Sequence, residues 1–227
     1  MDQDKYSLRE RKYAKNKLSL MRAFIERLKT QRFEEISISE LCADLDVAEG
    51  TFFNYFPRKI DVIRYFTDLA SAHIIWQTEQ RINKKTYLDM IDNIFYCLGE
   101  EIANNTNLIY EIISASIGQK QAMDQRTKIT KAEKHFAFPE CAGIEDIRPP
   151  SMLFEGYFEE VIKKAVKNKE LPQTTNIRTT VLFLNMLMAG LPLAIKKEKL
   201  KDIKSVNREM LELLWKALGR KYDRSNQ

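Results

Sequence analysis

The sequence predicts an all-α protein, and three observations carry that expectation. Gly and Pro are scarce, 7 and 6 residues in 227. Apolar residues recur at three- and four-residue spacings along most of the chain, and runs of strand-type alternation are few. The expected architecture is an N-terminal three-helix, helix-turn-helix domain with a basic arm over 1–58, followed by a helical bundle over 59–227. A chain this long can bury a sizeable core in one or two domains.

Residues before about Tyr13 are expected to form a mobile basic arm. From Tyr13 to Arg32, the apolar positions Ala14, Leu18, Met21, Ile25 and Leu28 step by four and three, which gives one core-facing stripe and a Lys- and Arg-rich outer face. Lys5 to Arg32 holds ten Lys or Arg against two Glu, a local balance of +8, so the rest of the chain carries −3 to reach the overall +5. Such an excess on one segment is the electrostatic footprint of phosphate binding, although a solvated N-terminal tail is the plainer account of a charge run taken alone.

The stretch Ser37 to Lys59, SISELCADLDVAEGTFFNYFPRK, organises the rest. Ser37 with Glu40 three residues on is a capping box opening a short helix. Ile38, Leu41, Cys42 and Leu45 then face the core and Ser39, Glu40 and Ala43 face outward. Asp46 makes the turn, because Asp tolerates left-handed backbone. The second helix, Ala48 to Phe56, is anchored by Phe52 and Phe56 on one face, so Gly50 and Asn54 point away, flanked by Thr51, Phe53 and Tyr55. Gly in a helix costs about 1 kcal/mol against Ala, and close approach of a backbone to phosphate explains its use. Lys59, at the start of the next helix, opposes the helix dipole; a shared phosphate explains a cation there, with a plain exposed lysine as the alternative.

DVAEGTFFNYFPRK resembles the helix-turn-helix of the TetR family of bacterial transcriptional regulators. That signature usually reads Gly-Val-Ser, a basic residue, Gly-Thr, an apolar residue, Tyr, then an aromatic pair ahead of Lys. The resemblance runs from roughly Lys17 to Phe66, with Asp46, Ala48, Glu49 and Phe53 departing from the family pattern. It implies a cytoplasmic homodimer that binds double-stranded DNA and responds to a small-molecule effector held in the C-terminal bundle. The expected DNA-binding set is Ser37, Ser39, Gly50, Thr51, Phe53, Asn54, Tyr55 and Lys59. Repression is the expected outcome, with activation as the other. The alternative suggested by Ala48, Glu49 and Phe53 is a helical ligand-carrier or protein-interaction dimer without useful DNA binding.

Beyond the motif, a long helix is expected from Lys59 towards Asn83, then helices over Thr86 to Asn104 and Asn107 to about Met123. Gln119 to Pro150 is the least regular stretch, expected to be partly helical and partly loop. Further helices are expected from Ser151 to about Lys169, from about Asn176 to Ile195 with Pro192 in its last turn, and from Val206 to Leu218. RKYDRSNQ should fray. The run Val181 to Ile195 is apolar on nearly all sides and falls short of the ~20 residues of a bilayer span, so no membrane partner is expected. Pairing it and the Val206 to Leu218 helix with a second copy would bury the surplus apolar surface.

The resemblance also implies a cavity in the bundle. Its expected lining is Trp76, Phe95, Tyr96, Tyr110, Phe154, Tyr157, Phe158 and Met186, suited to a largely apolar effector. Aromatics and Met at helical spacing are more often plain core. Enzyme chemistry finds no Gly-rich phosphate loop, no G-x-S-x-G and no H-E-x-x-H. No cofactor is expected. His73 and His135 lie apart, with no Cys or carboxylate spacing that suggests a metal. Glu100-Glu101 and Glu159-Glu160 diverge on their helices and read as solvated faces. Three widely spaced cysteines, Cys42, Cys97 and Cys141, suit a reducing compartment.

Overall fold

The computed structural model describes residues 5–81, 86–118, 128–150, 154–195 and 197–220. Ten α-helices and no strand occur among them. Packing divides the chain into two units, Met1–Trp76 with Asn107–Met152, and Gln77–Thr106 with Leu153–Gln227. This grouping is not drawn at residue 58: Leu108, Ile112 and Ala115 return to share a core with the motif.

In the first unit, α1 (Leu8–Leu28) begins earlier than the apolar stripe suggested. Ser7 accepts from the Glu10 amide while Glu10 accepts from Ser7 N, a complete capping box that the sequence reading passed over. The segment before it is not the expected free arm. Lys5 pairs with Glu145, and the Tyr6 ring lies 5.4 Å from His135 and 6.0 Å from Phe136. A 3-10 turn (Phe33–Glu35) leads to α2 (Ile38–Asp44) and α3 (Glu49–Tyr55), followed by α4 (Ile60–Arg81). Leu18, Phe24, Leu28, Leu41, Phe52, Phe56, Ile60 and Tyr65 fill one core, which Leu108, Ile112 and Ala115 of α6 (Thr106–Gly118) complete. Full burial of each such Leu or Phe contributes about 1.5–3 kcal/mol.

The stretch Gln119 to Pro150 resolves into more structure than expected. Residues 119–127 lie outside the described residues, but α7 (Lys131–Ala137) follows, with Thr130 and Glu133 forming a second capping box. This helix lies on α1. Glu133 is fully buried and its carboxylate meets Lys17 Nζ at 2.8 Å, while Arg22 donates to the carbonyls of Phe136 and Ala137 at 3.4 and 3.2 Å. Lys17 Nζ also sits 4.1 Å from the centre of the Tyr65 ring. Breaking a buried pair by removing one partner costs about 3–5 kcal/mol, because the other charge is left in low dielectric. A further 3-10 turn, Ile144–Asp146, follows Gly143, whose φ of 82° suits a residue without a side chain.

The second unit is a bundle of α5 (Tyr87–Asn104), α8 (Glu155–Lys167), α9 (Ile177–Ala194) and α10 (Ile203–Ala217), together with the end of α4. Helices α5 and α10 approach so closely at Gly99 that an added Cβ would lie 2.8 Å from Lys204 Cγ. Next to it, Asn207 donates to the Phe95 carbonyl at 3.1 Å, satisfying a buried amide. Trp215 donates from its indole to Asp92 at 2.7 Å, and Arg220 reaches Asp89 at 2.7 Å and Asp92 at 3.1 Å. The expected fraying therefore does not begin at Arg220, which two carboxylates hold; residues 221–227 lie outside the described residues. Helix α9 starts where expected, with Asn176 as its N-cap, and Pro192 sits in the last turn.

Candidate functional site

The geometry of the motif follows from two local choices. Ser37 Oγ accepts from the Glu40 amide at 3.3 Å, which starts α2, and Asp46 takes a left-handed backbone with φ of 52°, which turns the chain into α3. Phe52 and Phe56 are then buried, their rings 5.6 Å apart, with Phe56 packed 5.5 Å from Tyr65. With one face so fixed, the other is offered to solvent. Gly50 and Asn54 are exposed, as is Phe53 at 44% of its surface. Thr51 and Tyr55 are half-buried.

Space around Gly50 is open, since among the described residues no atom outside its chain neighbours and own helix backbone lies within 4 Å of where a Cβ would stand. Nothing among those residues therefore requires glycine there. Ser39 is exposed on α2, while Ser37 is half-buried by its capping role. Lys59 is more committed than a free cation: its Nζ donates to the Glu34 carbonyl at 3.2 Å and lies 4.8 Å from the centre of the Phe33 ring. Burial pushes its ammonium below the usual lysine range, with Glu34 opposing.

Beside the outer face of α3 runs a shallow groove of about 560 Å³ lined by Leu8, Arg9, Lys12, Tyr13, Asn16 and Tyr55. The Tyr13 and Tyr55 rings meet at 5.0 Å and form its wall. Arg9, Lys12 and Asn16 are exposed donors at its rim. The sequence reading missed these three as individual residues, and the signal that could have found them is the Ser7-x-x-Glu10 cap. That cap makes the basic arm a rigid first turn rather than a tail. Cations and an amide beside an exposed polar helix are the donors that phosphate and base-edge recognition uses.

The eight residues expected to line an effector cavity are not all brought together. Phe95, Phe154 and Phe158 are buried in the second unit and stack on one another, Phe95 at 6.0 Å and Phe154 at 5.8 Å from Phe158. Tyr157 adjoins them, its ring 6.4 Å from Phe154, and burial raises its hydroxyl to about 12. Trp76 and Tyr110 belong to the first unit, where the Trp76 indole donates to the Ala142 carbonyl at 2.9 Å. Tyr96 is exposed under the cations of Arg81 and Lys204. Met186 is 69% exposed on the outer face of α9, alongside Leu182, Phe183 and Leu193, with Leu213 64% exposed on α10. An apolar side chain announces burial but not by what, and for Met186 the described unit supplies no cover.

The expected absence of metal-ligand spacing meets a different arrangement in space. His73 on α4 comes within reach of Glu140 and Cys141, their ligating atoms all within 4.8 Å of one another. All three cysteines are reduced and buried.

No family model and no curated protein matches the chain. Solved structures do. A TetR-family transcriptional regulator from Cytophaga hutchinsonii superposes with a TM-score of 0.59 at 15% identity, covering 92% of this chain and 96% of that one. GusR from Salmonella enterica gives 0.61 at 13%, covering 89% and 94%. The transcriptional regulator FadR from Bacillus subtilis, in complex with stearoyl-CoA, gives 0.59 at 15%, covering 90% and 99%.

The chain has the fold of TetR-family regulators.

At such identities the likeness carries the fold. Both parts of the TetR fold are covered, since nine-tenths of the chain superposes. The motif resemblance at Asp46 to Lys59 and the whole-chain likeness therefore agree on the same N-terminal helix-turn-helix. The departures at Ala48 and Glu49 leave α3 without a side-chain cap, and Ala48 is still its N-cap residue in extended backbone.

Proposed function

We propose that this chain is a TetR-type, ligand-responsive transcriptional regulator of the cytoplasm that binds a palindromic operator as a homodimer and represses by occupying it. The observation that carries this reading is α3, pinned by buried Phe52 and Phe56 and presenting Gly50, Phe53 and Asn54 beside a groove rimmed by Arg9 and Lys12. In that reading residues 1–58 read duplex DNA, and 59–227 bind effector and dimerise. Thr51, Asn54 and Tyr55 contact bases or phosphates; Ser37, Ser39, Gly50 and Phe53 fit the helix to the groove wall. Lys59 and the α1 cations hold the backbone. Lys59 would exchange its Glu34 carbonyl for a phosphate oxygen.

Dimerisation is supported by the exposed stripe Leu182, Phe183, Met186 and Leu193 on α9 and by Leu213 on α10. By length and composition alone α9 also matches a bilayer span, with a third of it buried. A second copy covers such a stripe without moving the buried Asn185 and Thr180 of the same helix into lipid. A largely apolar effector, of the acyl kind seen with FadR, suits the Phe95, Phe154 and Phe158 cluster, with the buried Tyr157 hydroxyl as its polar handle. An effector acts only by binding two arrangements of the reading heads unequally, with a coupling of about 1–3 kcal/mol. No catalytic role is proposed.

The carrier alternative draws on Lys59 being occupied by Glu34 and on the uncapped start of α3. One titration decides between them. Affinity for random duplex should fall steeply and log-linearly with salt; absence of binding even at low salt would leave the carrier. Selection of bound duplexes from a random pool then reads out the operator.

A further inference from the structure

We propose that His73, Glu140 and Cys141 form a binding site for a zinc-type divalent cation. Among the described residues this is the group in which three His, Cys or carboxylate ligands converge, with ligating atoms all within 4.8 Å. The donors are one imidazole nitrogen, one carboxylate oxygen and one thiolate sulfur, a set of intermediate softness that favours Zn²⁺ and Co²⁺ over Mg²⁺ or Ca²⁺. Tetrahedral Zn²⁺ with bonds of about 2.0–2.3 Å spaces its ligand atoms about 3.3–3.7 Å apart. Cys141 Sγ already lies 3.8 Å from Glu140 Oε1, close to that spacing.

The donors are held by their neighbours rather than left to chance. The His73 ring stacks on Phe138 at 4.4 Å with only 8° between planes, and lies nearly parallel to Trp76 at 6.1 Å. The Trp76 indole donates to the Ala142 carbonyl at 2.9 Å, tying the loop to the helix that carries His73. Within the loop, the Cys141 amide donates to Phe138 O at 3.0 Å and the Ile144 amide to Cys141 O at 3.2 Å. Cys141 is buried and Glu140 exposed, so a cation would sit at the surface with three protein ligands and a fourth position for water or a small ligand. Binding forms a metal–sulfur bond and breaks the S–H bond, and the proton leaves to solvent.

The site joins α4 to the loop that follows α7, and α7 is clamped to α1 through Lys17 and Glu133. A cation there would fasten that loop within the same unit as α3. The proposal does not depend on the DNA-binding reading.

The test uses the full chain, stripped with chelator and titrated with Co²⁺. The expected result is one Co²⁺ per chain with a thiolate-to-cobalt charge-transfer band and tetrahedral visible bands, both displaced by one equivalent of Zn²⁺. Cys141→Ser should lose the band, whereas Cys42→Ser and Cys97→Ser should keep it. Glu140 is exposed, so Glu140→Gln should leave metal-free melting unchanged and weaken Zn²⁺ by about 10–100-fold, no less than the loss of an outer partner. A spectrum without the thiolate band, a band surviving Cys141→Ser, or unchanged Zn²⁺ affinity in Glu140→Gln overturns the proposal.

Discussion

Helices α3 and α9 both hold large apolar side chains in solvent, and they do so on opposite terms. The seven residues of α3 bury Phe52 and leave outward a face that is small and polar apart from Phe53. The eighteen of α9 bury Val181, Leu184 and Met188 and leave outward a second apolar stripe of Leu182, Phe183, Met186 and Leu193. A polar face with an aromatic edge suits a wet, charged surface; a continuous apolar stripe suits a dry one. The difference teaches that exposure alone does not name a partner, whereas the chemistry of what lies between the exposed residues does.

Four tests, by six substitutions, break or sharpen that contrast. Phe52→Ala should have the largest effect, costing about 3–5 kcal/mol through the cavity left under α3; denaturant unfolding measures it, and duplex binding should vanish with it. Next, Met186→Glu combined with Leu213→Glu should turn dimers into monomers by sedimentation, since like charges facing across a two-fold axis cost several kcal/mol. Both residues are exposed in the isolated unit, so the melting of the monomer itself should hardly change; a persistent dimer would move the interface elsewhere. Third, Asn54→Ala should shift preference at one base pair by about 1–3 kcal/mol, while Lys59→Ala should weaken all duplexes alike and flatten the salt slope by about one. Gly50→Ala should be the mildest for the fold, neutral to roughly 1 kcal/mol stabilising. It should nevertheless weaken duplex binding; unchanged affinity would show that no backbone approaches α3 there.

Much of the first unit was legible because its signals are local. Ser37 and Asp46 each act within one turn of their own position, and Phe52 and Phe56 share one face of α3 at a four-residue spacing that marks them for the core. The second capping Ser went unread since Ser7 precedes a polar first turn rather than an apolar run. Helix α7 falls in the stretch expected to be partly helical, but its seven residues carry too little periodicity to place it, and what holds it is Glu133 meeting Lys17 from far away in the chain. Likewise Met186 and Tyr96 were legible as apolar and aromatic but not as exposed, because the sequence gives a helix's faces without saying which face has a neighbour. His73 and Cys141 sit on separate elements, and only folding places them side by side.

Arg220 lies beyond the last turn of α10, where a secondary-structure boundary invites a shortened chain to stop. Trimming back to Leu218 would remove the guanidinium that answers both Asp89 and Asp92, and Asp92 also accepts a hydrogen bond from the indole N–H of buried Trp215. A deletion that spares every helix would thus loosen the bundle from within, and crystallisation or tagging strategies should keep Arg220 in place.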